Sequence, residues 1–135
     1  MRRSVVSFAL LAIIGGAGSA LAHHSFAAYF NDQIVEVTGR VTEFRFSNPH
    51  GMITLEVRGQ DGGAEVWRAE TNAPVILRRR GWTADSLRAG ETITVEGWPA
   101  RDGGRYLRMR KVTRTDGMVV GTPLSLNTAS EGEKP

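Results

Sequence analysis

Residues 35–46 read VEVTGRVTEFRF, and this stretch decides the fold. Apolar valines alternate with polar residues as far as Val41, which is the two-residue period of a strand that buries one face. The apolar positions then change parity to Phe44 and Phe46, so we expect a bulge or a strong bend near residues 42–43. The stretch therefore predicts one long, bent strand, with which a small sheet can begin to curl into a barrel.

The rest of the chain continues this pattern. The same alternation, interrupted by glycine-rich turns, predicts four more strands at residues 53–57, 65–70, 92–97 and 106–113. Residues 73–80 do not show the two-residue alternation of a strand. Pro74 near the start of this segment and Gly81 directly after it predict a short helix. Three strands, a helical connection and two further strands match an OB-like five-stranded antiparallel barrel, an all-β fold with one short helical connection. Another small barrel or an open sandwich is the alternative.

The first 22 residues have the features of a secretory signal peptide. A basic start is followed by an apolar run of about ten residues and by Ala20-Leu21-Ala22, the small-x-small pattern that signal peptidase accepts. The apolar run is too short to span a bilayer comfortably, which argues against the alternative of an uncleaved anchor. We therefore expect cleavage before His23, a periplasmic or secreted location, and no stable membrane span after cleavage.

The amino-acid composition limits the number of domains and the kinds of site that the chain can form. A chain of 135 residues with 41% hydrophobic residues suffices for one domain. The absence of cysteine excludes disulfides, thiolate metal sites and cysteine nucleophiles. Lys and Arg number 17 against 14 Asp and Glu, and removal of Arg2 and Arg3 with the signal leaves 15 against 14, which gives little attraction for polyanions. The predicted organisation is a signal peptide at 1–22, an N-terminal segment at 23–32, the barrel at 33–120 and a flexible tail at 121–135.

The three histidines suggest a metal site. His23 and His24 would begin the mature chain, and His50 follows Asn48-Pro49 in the loop after the first strand. The α-amine and ring of an N-terminal histidine can chelate one ion, and a further imidazole from His24 or His50 would complete three nitrogens, a donor set that favours copper. A second arrangement uses the amine with the backbone amide and ring of His24. The structural alternative is that His50 and Asn48 only support their own loop.

A second hypothesis, from a different class, is a non-metal interaction module. Strand parity places Trp98, Tyr106, Arg108 and Arg110 on the outer face of the barrel, where they could contact a periplasmic protein, a peptide or a saccharide. Glutamates share that face, whereas a nucleic-acid groove would present one sign of charge with stacking aromatics. Nucleic acid is therefore not the expected partner.

No arrangement of residues predicts catalysis. Ser25 follows His24, but no acid is placed to orient such a pair, and neither glycine pair is followed by a helix start that could form a phosphate loop. The run Arg78-Arg79-Arg80 falls at a predicted helix C-terminus, where positive charge is stabilising without any ligand. We therefore expect a binding protein rather than an enzyme.

Four stretches together resemble a known family. They are His23–Phe30, Asn48-Pro49-His50, Gly81-Trp82 and Gly90–Gly97. In combination they are similar to small exported bacterial proteins of the domain of unknown function 6152 family, over roughly residues 22–117. The resemblance implies an exported OB-like barrel without an established activity. It implies no ligand, so the copper hypothesis depends on residue chemistry alone.

Overall fold

The structure, a computed structural model, describes residues 29–123. Five strands and one helix form in this part of the chain. They are β1 (Val35–Arg45), β2 (Met52–Arg58), β3 (Ala64–Glu70), α1 (Pro74–Arg79), β4 (Thr92–Pro99) and β5 (Tyr106–Arg114). The predicted strands and the predicted helix are therefore all present, each with bounds within about two residues of expectation.

The strands close into a barrel in the order β1-β2-β3-β5-β4. The predicted OB-like barrel with one short helical connection is thus confirmed. Four of the strand pairs are antiparallel, and the pair of β3 with β5 is parallel over three residue pairs. A ring with an odd number of strands cannot alternate in direction all the way round, so one parallel junction is required by closure.

The inside of the barrel is filled with apolar side chains. Buried residues from all five strands form one cluster, which includes Val41, Ile53 and Val95, and Leu77 and Trp82 belong to the same cluster. The expected irregularity in β1 is present, because the β1–β2 register shifts between Val41 and Glu43. A filled interior leaves the ends and the outer face of the barrel as the places where a ligand could bind.

Part of what the sequence predicts falls outside the described residues. This part comprises the signal peptide, the cleavage point, both N-terminal histidines and all of the tail beyond residue 123. These features stay predictions. Within residues 29–123, no helix is long and apolar enough to cross a membrane.

Candidate functional site

The loop between β1 and β2 brings His50 against the end of β3. His50 Nδ1 lies 2.8 Å from Oε1 of Glu70, the last residue of β3. The loop is anchored where the β2–β3 ladder continues past Met52, because Gly51 N donates to Asn72 O at 3.3 Å and Thr71 N donates to Gly51 O at 3.0 Å. This anchoring holds the imidazole beside the carboxylate. The side chain of His50 is 26% exposed, so solvent reaches it.

Glu70 is engaged through both of its oxygens. Oε1 also accepts a hydrogen bond from Arg108 Nη1 at 2.8 Å, and Oε2 accepts one from the Tyr106 hydroxyl. Burial alone would raise the pKa of the Glu70 carboxyl, but the hydrogen bonds from His50 and Tyr106 and the charge of Arg108 outweigh burial, and the pKa is lowered. Glu70 is therefore a carboxylate at neutral pH.

Arg108 fixes this cluster to the end of β3. Its guanidinium donates to the Thr71 carbonyl at 2.8 Å and to the Asn72 side-chain oxygen, in addition to Glu70. The parallel β3–β5 pairing supplies the geometry, because it aligns Glu70 with Arg108. A buried arginine with several acceptors is a rigid support, since moving it would leave a buried charge unpaired. We refer to His50, Glu70, Tyr106 and Arg108 as the His50 cluster.

The chain before β1 reaches the same place. Asn31 N donates to Pro99 O and Arg101 N donates to Tyr29 O, both at 2.9 Å, so residues 29–31 run along the end of β4. The Phe30 ring stacks on the Tyr106 ring with centroids 6.1 Å apart and an interplanar angle of 20°. The N-terminal segment therefore enters the described structure beside the His50 cluster.

One family model matches this chain over residues 11–108, and it describes a family of unknown function, DUF6152. The match spans most of the chain. The chain belongs to DUF6152. The resemblance inferred from the sequence is confirmed in this respect, and no curated protein shows a significant match to this DUF6152 chain.

Among solved structures, the similar chains include nucleic-acid-binding proteins. The mitochondrial single-stranded DNA binding protein Rim1 from S. cerevisiae matches with a TM-score of 0.46 and 13% identity, covering 68% of this chain and 98% of Rim1. A small single-stranded DNA-binding protein from Streptomyces coelicolor matches with a TM-score of 0.41 and 16% identity, covering 62% and 93%. TiaS, in a complex with a transfer RNA and ATP, matches with a TM-score of 0.45 and 16% identity over 62% of this chain, and the match spans only 18% of TiaS. At these values the similarities say nothing about what the DUF6152 chain binds.

The predicted interaction face is exposed only in part. The register confirms that Trp98 and Arg108 are neighbours across β4 and β5, but Trp98 is 2% exposed and Arg108 is 3% exposed. The expectation that both are available to a partner was wrong, because parity gives the side of the sheet and not what covers it. Tyr106 and Arg110 are partly exposed, and their role in partner binding stays a prediction. Arg110 binds Glu96 at 2.9 Å.

The structure adds two residues that sequence reasoning missed in this DUF6152 chain, Glu70 and Asn72. The pairing register of the β2–β3 hairpin could have identified both residues from the sequence. The pair Arg58 and Ala64 flanks its turn, and continuing that register brings Met52 opposite Glu70. Two residues further, the same register places His50 near Asn72.

Of the residues predicted to bind a metal or to support the loop that carries His50, the structure describes His50 and Asn48. Asn48 lies in the β1–β2 connection as expected. The described part of the chain contains no cluster of three or more His, Cys, Asp or Glu side chains that could hold a metal ion by itself.

Proposed function

We propose that this protein is a small exported copper-binding protein of the periplasm. In this proposal the α-amine and imidazole of His23, once the signal has been removed, bind one copper ion together with His50, and His24 is the alternative source of an imidazole. The observation that supports it best is the His50–Glu70 contact of 2.8 Å. Histidines that ligate metals almost always donate their other ring N–H to a carboxylate or a carbonyl, and His50 has this arrangement.

The position of the N-terminal segment supports the same proposal. Phe30 stacks on Tyr106, and Tyr106 donates to the carboxylate that holds His50. His23 precedes Tyr29 by a stretch of chain that can extend to about 20 Å. Because residues 29–31 lie beside the His50 cluster, this length of chain supports the proposal that the α-amine of His23 binds the same ion as His50.

The donor chemistry selects the metal. An amine and imidazoles are nitrogen donors of intermediate softness, and copper has the highest affinity of the divalent first-row ions for such sites. One imidazole from the barrel is too few for a tight site, so the N-terminal nitrogens are required. Because the N-terminal nitrogens are required, the proposal predicts that copper affinity depends on the residue at which the mature chain begins.

The test compares two proteins that differ by one residue. The protein is exported with its own signal and shown by mass spectrometry to begin at His23, and a second protein carries one added glycine before His23. Cu(II) is titrated into each, with the dissociation constant measured by chelator competition and the nitrogen ligands counted by electron paramagnetic resonance. We expect one site with three nitrogens in the first protein and a large loss of affinity in the second.

The role of His50 is tested in the same way. His50→Ala should remove one nitrogen from the resonance spectrum and weaken binding, whereas His50→Gln keeps a side chain of similar size and should weaken it as much. A spectrum unchanged by His50→Ala would reject the shared site, and unchanged affinity after the glycine addition would reject the role of the α-amine. The absence of a tight site in the first protein would reject copper binding altogether.

A further inference from the structure

Helix α1 has an outward side that carries two arginines and a valine. Pro74 and Leu77 of this helix are buried. Val75, Arg78 and Arg79 are exposed, and residues three and four positions apart lie next to each other on a helix surface. The Val75 side chain belongs to a residue that is 53% exposed. We refer to Val75, Arg78 and Arg79 as the α1 patch.

The positive charge of the α1 patch has no carboxylate partner within the part of the chain that the structure describes. Neither Arg78 nor Arg79 forms an ion pair there, and the first turn of α1 contains no acidic residue. Five other arginines each lie within 2.9 Å of a glutamate: Arg40, Arg105, Arg108, Arg110 and Arg114. The α1 patch therefore exposes charge that an anionic partner can bind.

Arg78 lies over an aromatic ring, which supports its position without neutralising its charge. Its guanidinium carbon is 5.2 Å from the centroid of the Phe46 ring, a cation–π contact. Phe46 is partly exposed and packs against the core, so the contact joins the patch to the barrel. The guanidinium also occupies one face of the Phe46 ring, which makes the ring a poor platform for stacking a nucleic-acid base.

The helix dipole accounts for only part of the α1 patch. Positive charge near a helix C-terminus is stabilising, which favours Arg78 and Arg79 without any ligand. The dipole gives no reason for an exposed valine beside them. Arginines that flank an exposed apolar side chain are typical of surfaces that bind a membrane, because the apolar group enters the interfacial layer while the guanidiniums stay at the phosphate groups.

We propose that the α1 patch binds the protein to the surface of a membrane that contains anionic phospholipids. Arg78 and Arg79 contact the phosphate groups, and Val75 enters the interfacial layer. Arg80, the residue that ends α1, adds a third positive charge. The inference concerns a surface other than the His50 cluster, and it is independent of the proposed copper function.

The first experiment measures binding to lipid vesicles by co-sedimentation. One kind of vesicle contains phosphatidylcholine only, and the other contains phosphatidylcholine and phosphatidylglycerol in equal amounts. The full chain is expressed with its signal, every variant is shown by mass spectrometry to begin at the same residue, and EDTA removes metal ions. We expect the parent protein to bind the anionic vesicles at low salt, to bind the neutral vesicles much more weakly, and to dissociate as the salt concentration rises.

Arg79→Gln is compared with Arg58→Gln, which removes the same charge elsewhere. Arg58 is exposed and lies at the opposite end of the β2–β3 pair from Glu70, after which the chain enters α1. An arginine near an anionic surface strengthens binding about fivefold, so we expect about that loss in Arg79→Gln and a loss of about 25-fold in Arg78→Gln/Arg79→Gln. Arg58→Gln should lose less than about twofold, because salt screens charges that lie more than about 10 Å from the surface.

The apolar part of the patch is tested by Val75→Ser, with Val66→Ser as the matched control. Val66 lies on β3 and is 60% exposed, so both substitutions remove an exposed valine. Burial of part of one valine side chain strengthens binding about fivefold, and we expect about that loss in Val75→Ser. The control should lose less than about twofold.

Four results would overturn the inference. The parent protein could fail to bind anionic vesicles at low salt, or bind both kinds of vesicle equally. Equal losses in Arg79→Gln and Arg58→Gln would show that net charge alone drives binding. A single-stranded oligonucleotide bound more tightly than the anionic vesicles, with the same loss in Arg79→Gln, would assign the α1 patch to a soluble polyanion. Urea unfolding shows that each variant is folded, and Arg79→Lys keeps the charge and should bind as the parent does.

Discussion

At the scale of single residues, Arg108 connects Glu70 of the His50 cluster to the residues that follow β3. It lies opposite Trp98 on the outer side of the sheet, yet it is buried and bonded to Glu70, Thr71 O and Asn72. Its removal would take the guanidinium from a half-buried carboxylate and would remove one donor each from Thr71 O and Asn72 Oδ1. Such losses are much larger than those of an exposed ion pair.

We therefore expect Arg108→Met to lower the free energy of unfolding by about 3 kcal/mol, the cost of removing one member of a buried pair. Arg110→Met is the matched control, because Arg110 is on the same strand and binds Glu96 in a partly exposed pair. It should cost less than about 1 kcal/mol. Urea unfolding at pH 7 measures both. Equal losses in the two variants would show that burial of Arg108 contributes nothing.

Tyr106 gives a prediction about pH. Burial, the hydrogen bond to Glu70 and the charge of Glu70 raise the pKa of its phenol above the usual value. The folded protein then keeps a proton that the unfolded chain loses near pH 10, so the stabilisation is complete below about pH 10 and declines as the pH rises further. We expect the stability difference between the parent and Tyr106→Phe to stay constant up to about pH 9 and to shrink as the pH rises above about 10 in urea unfolding.

The chain has two tyrosines, so the ultraviolet absorbance of tyrosinate can be assigned by difference. The signal lost in Tyr106→Phe should appear in the native protein only at a higher pH than in protein unfolded by urea. Ionisation of Tyr106 at the same pH in both states would contradict the prediction.

At the scale of elements, Gly97 shows how a strand is adapted to its neighbour. The β4–β5 register shifts between Glu96 and Gly97, and a Cβ at Gly97 would collide with the Arg108 carbonyl and lie 2.6 Å from the Leu107 side chain. A backbone carbonyl held in the ladder cannot move aside cheaply. The same crowding brings β4 close to β5 at the residue that supports Glu70.

Gly97→Ala should therefore lower stability by about 2 kcal/mol, as overpacking of a core does. Gly63→Ala is the control, because the nearest atoms to its Cβ would belong to the Asp61 side chain, at 3.2 Å or more. The two variants are compared by thermal unfolding. A melting temperature for Gly97→Ala equal to that of Gly63→Ala would mean that β4 can shift to make room.

The elements were predictable because their signals are local. Alternation along the chain revealed the strands, a change of parity revealed the bulge after Val41, and Pro74 with Gly81 marked the helix. The site was less predictable because its contacts join distant parts of the chain. His50 was singled out as an isolated imidazole, whereas its partner Glu70 follows only from the hairpin register, and the burial of Arg108 depends on what packs over the sheet.

At the scale of the whole molecule, the closed barrel confines binding to its surface. Its interior is filled with apolar side chains, and the cluster of polar groups lies where the β1–β2 loop, the end of β3 and the start of β5 meet. Residues 29–31 bind along β4 at this same end. The barrel therefore holds residues 29–31 and His50 at the same end, and ordering two such segments in a flexible chain would cost conformational entropy.

Under the proposed copper function, this arrangement predicts that Phe30 affects copper binding more than it affects the barrel. Phe30→Ala removes the stack on Tyr106, and stacked aromatic pairs contribute about 1 kcal/mol, so the N-terminal segment should be held less well and the copper affinity should fall about fivefold. Phe30→Tyr keeps the ring and serves as the control, with affinity close to that of the parent. Chelator competition measures the affinity, and urea unfolding reports the stability of the barrel. A large loss of barrel stability in Phe30→Ala would mean that Phe30 supports the fold itself, and an unchanged affinity would mean that the segment reaches copper without being docked beside Tyr106.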